Sequence, residues 1–75
     1  MTTTTKYLAH VPAHALDTDT DVIDAFLRVA NAHDVYPTDV AIASRTDTRA
    51  RVAFAISAWD ASRLTHGARV RLTRA

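Results

Sequence analysis

Apolar residues recur at helical spacing in the first half of the chain. One face of the predicted helix carries Ile23, Phe26, Leu27 and Ala30, with Val22 and Val29 on its margins. Thr18, followed three residues later by Asp21, has the form of a capping box. The pattern predicts an amphipathic helix that begins near residue 19. It should end around residues 32–34, because Pro37 biases the preceding residue away from helical angles.

Four other segments alternate apolar and polar residues with the period of two that is typical of strands: residues 6–11, 39–43, 49–57 and 69–73. The first should stop at Pro12, which cannot donate to a strand ladder. Polar residues 44–48 predict the turn of a hairpin between the second and third strands. The phase of the first strand stays open, so either Leu8 and His10 or the alternate set Tyr7, Ala9 and Val11 could face the core.

A short second helix is predicted between the last two strands. Ser57 and Asp60 repeat the capping-box spacing, and Gly67 is placed to end about two turns of helix as a left-handed cap. The order βαββαβ predicts an α+β fold, a ferredoxin-like sandwich with one four-stranded antiparallel sheet and two helices on one face. If the second helix were a loop, a simpler α+β sheet would result. Residues 1–5 are expected to form a disordered N-terminus, and residues 6–75 a single domain.

The length of the chain limits how it can be stabilised. Its 75 residues allow one core, and a domain this short buries only roughly 60% of the surface of its extended chain. Small domains often gain stability from disulfides, metals or self-association. The sequence has no cysteine, which excludes disulfides and thiolate metal sites. This leaves a well-packed core or self-association as the source of stability, and the chain is expected to self-associate.

The charge is unevenly distributed although the net charge is only +1. Residues 1–39 carry two basic and six acidic side chains, and residues 40–75 carry seven basic and two acidic ones. Such asymmetry suits complementary protein contacts or a nucleic-acid surface. No apolar run approaches the roughly 20 residues that cross a bilayer, and the start lacks the pattern of a secretory signal. We expect a cytoplasmic protein with no membrane association.

Strand alternation places arginines on the sheet face opposite the core. Arg49 and Arg51 on the third strand and Arg69 and Arg71 on the last are out of phase with the core residues, and Ala41, Ala43, Ala53 and Ala55 share their face. These arginines are candidates for partner or nucleic-acid binding. The alternative is a solvated sheet face in which arginine only maintains solubility.

Trp59 is the remaining candidate for partner binding. A lone tryptophan at the start of a short helix more often covers the edge of a core, but tryptophan is also enriched at interfaces. The nucleic-acid interpretation lacks one component, because sheets that bind unpaired bases present aromatic residues for stacking. Here Phe54, the aromatic residue of the third strand, is in phase with the core residues Val52 and Ile56.

No enzymatic or cofactor motif is evident. Residues 12–17 lack the glycine that phosphate-binding loops use, and the aspartates of residues 17–21 lack the glycine and glutamate that a calcium loop requires. His10 and His14 are four residues apart, but Pro12 between them argues against a shared helical face. We therefore expect no enzyme, no cofactor and no metal site.

These observations favour a small non-enzymatic protein–protein interaction module that self-associates or binds a protein partner. An accessory protein of a phage or mobile element, acting on a host protein, is a hypothesis that rests on chain length. The alternative function is nucleic-acid binding through an arginine-rich sheet face. Without aromatic stacking, this binding would be weak and would rest on phosphate contacts alone.

Overall fold

The computed structural model describes residues 3–75. Along the chain lie strand β1 (Thr4–Pro12), helix α1 (Asp19–Ala32), strands β2 (Thr38–Arg45) and β3 (Arg49–Ser57), helix α2 (Ala58–Ser62), a π-helical segment (Arg63–Gly67) and strand β4 (Arg71–Arg74). Strand β1 includes Thr4 and Thr5, which pair with Ser57 and Ile56. This corrects the prediction that both belong to a disordered terminus. Met1 and Thr2, also assigned to that terminus, lie outside the described residues.

The four strands form one open antiparallel sheet in the order β2-β3-β1-β4. The predicted α+β class is therefore confirmed. The two long strands β1 and β3 pair along their whole length at the centre, and β2 and β4 form the edges. No helix within residues 3–75 is both long enough and apolar enough to cross a membrane.

Helix α1 begins and ends where local signals predict. The Thr18 hydroxyl accepts a hydrogen bond from the Asp21 backbone N–H at 3.1 Å, and the Asp21 carboxylate accepts one from the Thr18 N–H at 3.0 Å. Hydrogen bonding to the Asp21 carboxylate, first from the Thr18 backbone N–H and then from the Thr18 side chain, lowers the pKa of Asp21 below its usual value. At the other end, Asp34 adopts a left-handed φ of 59°. Val35 N–H then bonds the Ala30 carbonyl at 3.0 Å, which is the pattern of a Schellman motif.

The core lies between the helices and one face of the sheet. The same cluster contains Val22, Phe26 and Ala30 of α1, Ala61 and Leu64 of the second helical region, and the inward residues of β1 and β3. Of the 13 buried hydrophobic residues in the described range, six are alanines. The buried face of α1 is centred on Val22 and Phe26. Val29, which was assigned to the margin of the stripe, is 41% exposed.

The pairing of β1 with β3 settles the phase that alternation left open. Tyr7 lies opposite Phe54 and Ala9 opposite Val52, and residues opposite each other on paired strands share a face. Ala9 is fully buried, and Tyr7 packs against the core. Leu8 and His10 therefore face away from the helices.

The second helical region forms, but Gly67 is not its left-handed cap. Ser57 caps α2 by accepting the Asp60 N–H at 3.2 Å, and the helix then widens into the π-helical segment, with Ala68 N–H bonding the Arg63 carbonyl at 3.3 Å. The extra residue in that turn moves the left-handed position to Arg69, with φ 56°. Gly67 instead allows close approach of the His33 ring, whose Cδ2 would lie 3.3 Å from a Cβ at Gly67.

Replacing Arg69 by glycine is expected to raise the free energy of unfolding by about 0.5–1 kcal/mol. The left-handed conformation costs a residue with a Cβ about 1–2 kcal/mol, and part of that gain is offset by the greater freedom of glycine in the unfolded chain. Urea unfolding of Arg69→Gly and of Arg71→Gly, a control in the extended β4, would measure it. Equal destabilisation by both substitutions would contradict a strained left-handed backbone at Arg69.

Candidate binding face

The sheet surface away from the helices, called the open face here, carries a row of polar residues across all four strands. The pairing places Ser44 of β2 opposite Arg51 of β3, Arg51 opposite His10 of β1, and His10 opposite Arg71 of β4. Since neighbouring strands are about 4.8 Å apart, the backbones at Arg51 and Arg71 are separated by about 10 Å. We call Ser44, Arg51, His10 and Arg71 the basic row.

Arg49 adds a third guanidinium at the same end of the open face, where it lies opposite Pro12. Two shallow recesses open there. One, of about 310 Å³, lies between β2 and β3 beside Arg49 and Arg51, and the other, of about 330 Å³, lies between Arg49, His10 and Arg71. His10 is held in place by a 3.1 Å hydrogen bond between Nε2 and the Thr73 hydroxyl.

None of these three arginines has an acidic partner within residues 3–75. The ion pairs of that range join Arg45 to Asp19 at 3.2 Å and Arg63 to Asp34 at 3.8 Å. Arg45 lies on the core side of β2, where it also donates to the His14 carbonyl at 2.7 Å. The strand positions of the basic row contain no carboxylate. The end of the open face therefore has a concentrated positive charge that is free to interact with an anionic surface.

The middle of the open face is flat and apolar. The next row across the sheet consists of Ala41, Ala53, Leu8 and Thr73. Beyond it, Ala55 is only 6% exposed although it is out of phase with the core, and its neighbours across the strands are Lys6 and Thr38. Small side chains in this position allow another protein surface to approach the backbone closely.

Two candidate residues from the sequence lie elsewhere. Arg69 precedes β4 and borders a groove of about 280 Å³ between α1 and the β4 edge, which is lined by Phe26, Val29 and Val70 among others. The prediction that it shares the open face with Arg71 is therefore wrong. Its left-handed φ ends the extended alternation on which that prediction depended.

Trp59 lies on α2, in the layer of the helices, and is 75% exposed. The expectation that it covers the core edge is therefore wrong, while its role in partner binding stays a prediction. Tyr36, which the sequence did not indicate, is 68% exposed. The segments that carry these two aromatics are held together by the Asp34–Arg63 ion pair and by a 3.4 Å hydrogen bond from the Thr38 hydroxyl to the Ala55 carbonyl.

The sequence also missed His10 and Ser44 as members of the basic row. His10 could not be assigned because the alternation of β1 suits either phase, and Ser44 was predicted to lie in the turn. A sequence signal does exist for His10. The set Tyr7, Ala9 and Val11 contains only hydrophobic residues, so choosing it as the buried set would have assigned His10 to the outer face.

The chemistry available to the basic row is the binding of anions. Arginine guanidinium groups donate paired hydrogen bonds to carboxylates or phosphates. Within residues 3–75, no three of the metal-ligating side chains lie close enough to hold a metal ion. His10 is on the open face, whereas His14 is in the following loop, where its backbone N–H donates a hydrogen bond to the Asp17 carboxylate at 3.0 Å.

Comparisons with protein-family models, with curated proteins and with solved structures found no match to this chain.

Proposed function

We propose that this chain is a small non-enzymatic protein–protein interaction module that binds its partner, a second copy of itself, through the open face. The strand order β2-β3-β1-β4, together with a single core that joins both helices to the sheet, supports a ferredoxin-like sandwich. In such a sandwich one sheet face is free for contacts. The absence of a helix over Leu8 and Ala53 makes this face the accessible one.

One observation carries the proposal. Arg49, Arg51 and Arg71 meet at one end of the open face without acidic partners in residues 3–75, beside the row of Ala41, Ala53, Leu8 and Thr73. Arginine is enriched at protein interfaces, and small side chains permit the close packing that such interfaces require. A surface of this kind can combine charge-based orientation with apolar burial.

The test is the solution mass of the protein, measured by light scattering over a dilution series. The wild-type mass is expected to rise above the 8.2 kDa of the single chain as concentration increases. The double variant Arg49→Glu, Arg51→Glu should remain monomeric, because it opposes the attraction and leaves the core untouched. Arg74→Glu is the matched control, since Arg74 lies opposite Tyr7 and so is outside the open face. A wild type that stays monomeric at about 1 mM would refute self-association.

Nucleic-acid binding is the second candidate, and the cluster of unpaired arginines favours it. Among residues 3–75, no aromatic side chain lies on the open face, because Tyr7 and Phe54 belong to the core side of the sheet. Binding would therefore rest on phosphate contacts and would be independent of base sequence. Titration of a duplex oligonucleotide at several salt concentrations separates the two functions. A logarithmic salt slope of about −3 that Arg49→Glu, Arg51→Glu abolishes would favour nucleic acid.

A further inference from the structure

Neither edge of the sheet is a good template for pairing with another copy. Strand β2 has register shifts between Thr38 and Ala41 and between Ile42 and Ser44, and Asp39 within it has a φ of 54°. Strand β4 contains four residues and is flanked by arginines. Bulges, short strands and charges are features that prevent edge-to-edge association. Self-association is therefore expected to use a face of the sandwich.

The open face is also poorly suited to contact the same face of another copy. Its basic row would oppose either another basic row or the end that carries Lys6, and both arrangements bring like charges together. Like-charge juxtaposition across an interface is unfavourable. A contact through this face requires an acidic surface from elsewhere on the molecule.

Helix α1 provides such a surface. Asp19, Asp21 and Asp24 are exposed in its first two turns, and Asp24 lies on the helical face opposite the buried Val22 and Phe26. Asp24 belongs to no ion pair within the described residues. Together these three aspartates form what we call the acidic start of α1, in which Asp24 faces outward from the helix layer while Asp19 is paired with Arg45.

The acidic start of α1 and the basic row lie at the same end of the molecule, on opposite layers. Ala13 N–H bonds the Thr48 carbonyl at 3.0 Å, which holds the loop after β1 against the β2–β3 turn. Arg45 then joins Asp19 at 3.2 Å and the His14 carbonyl at 2.7 Å. These bonds fix the start of α1 at the sheet end that carries Arg49 and Arg51.

We propose that the open face binds the helix layer of a second copy, with the basic row of one molecule against the acidic start of α1 of the next. This inference rests on the proposed self-association and specifies its geometry. Two copies that stack in the same orientation bring the opposite charges together, because both lie at the same end. The contact uses two different surfaces, so a pair of molecules retains one free open face and one free helix layer, and the assembly is open-ended.

The test uses two variants that each remove one of the two surfaces. Arg51→Glu with Arg71→Glu reverses the basic row, and Asp24→Arg reverses the unpaired carboxylate of α1 while leaving the capping residue Asp21 intact. Each variant alone is expected to associate at least about tenfold more weakly than the wild type. Arg74→Glu, which changes the charge of a residue opposite Tyr7 and so outside the open face, is the control and should associate like the wild type.

Mixing the variants gives the decisive result. The Asp24→Arg variant retains a basic row and the sheet variant retains an acidic start of α1, and their reversed surfaces also carry opposite charges. An equal mixture should therefore regain the association that each variant alone lacks. The wild type alone should grow in mass without a plateau. A wild-type plateau at two chains, or association unaffected by Asp24→Arg, would overturn the head-to-tail contact. If the wild type associates and the Arg49→Glu, Arg51→Glu variant stays monomeric, the proposed function stands even when the head-to-tail contact is overturned.

Discussion

Replacing Phe54 by alanine is expected to lower the free energy of unfolding by about 3–5 kcal/mol. The ring is 1% exposed and lies at the centre of the core, with centroid distances of 4.8 Å to Phe26 and 6.3 Å to Tyr7. A chain of 75 residues has a total stability of roughly 4–11 kcal/mol. The loss is therefore a large part of the whole.

Urea unfolding followed by circular dichroism measures this change, and Trp59→Ala is the control. Trp59 is a large aromatic residue too, but its 75% exposure means that truncation should change the stability by less than about 0.5 kcal/mol. Similar losses for the two substitutions would contradict the placement of Phe54 in the core and of Trp59 on the surface.

Replacing Ala9 by aspartate is expected to prevent folding. Ala9 is fully buried on a central strand, between Val52 of β3 and Leu72 of β4. No buried cation lies in the core cluster to pair with a carboxylate at this position. An unpaired charge in a buried site destabilises by about 3–5 kcal/mol, and the added volume strains the packing further.

The adjacent substitution Leu8→Asp separates this effect from a general loss of strand stability. Leu8 is on the open face, where an aspartate would remain in contact with water, so we expect a folded protein with at most about 1 kcal/mol of destabilisation. Heteronuclear NMR spectra of the two variants would show dispersed resonances for Leu8→Asp and collapsed ones for Ala9→Asp. The reverse result would mean that β1 pairs in the opposite phase.

If the head-to-tail contact holds, the charge asymmetry of the chain has a structural purpose. The acidic first half forms α1 and the loop before it, and the basic second half forms β3 and β4. The antiparallel pairing of β1 with β3 and β4 brings Arg49, Arg51 and Arg71 together at one end. The same surface would lose its partner at high salt, because exposed charge pairs are screened.

Local sequence determined the elements whose signals are contained within a few residues. Helix α1 begins at Asp19, next to its capping box, and β3 spans Arg49–Ser57 as its alternation predicts. Pro12 marked the end of β1 and the polar turn marked the start of β3, although β2 extends through Ser44 and Arg45 into the predicted turn. These features depend on hydrogen bonds and side-chain spacing between near neighbours, so the sequence alone specifies them.

Tertiary structure decided the features that depend on residues distant in the chain. The phase of β1 follows from its partners β3 and β4, because alternation alone suits both faces. The left-handed position falls on Arg69 because the turn before it widens into a π-helix, and this removes Arg69 from the open face. Trp59 is exposed because the short α2 buries Ala61 and Leu64 instead. Arg71 joins Arg49 and Arg51 only through β1 between them, so the basic row exists in the folded sheet and has no counterpart in the linear sequence.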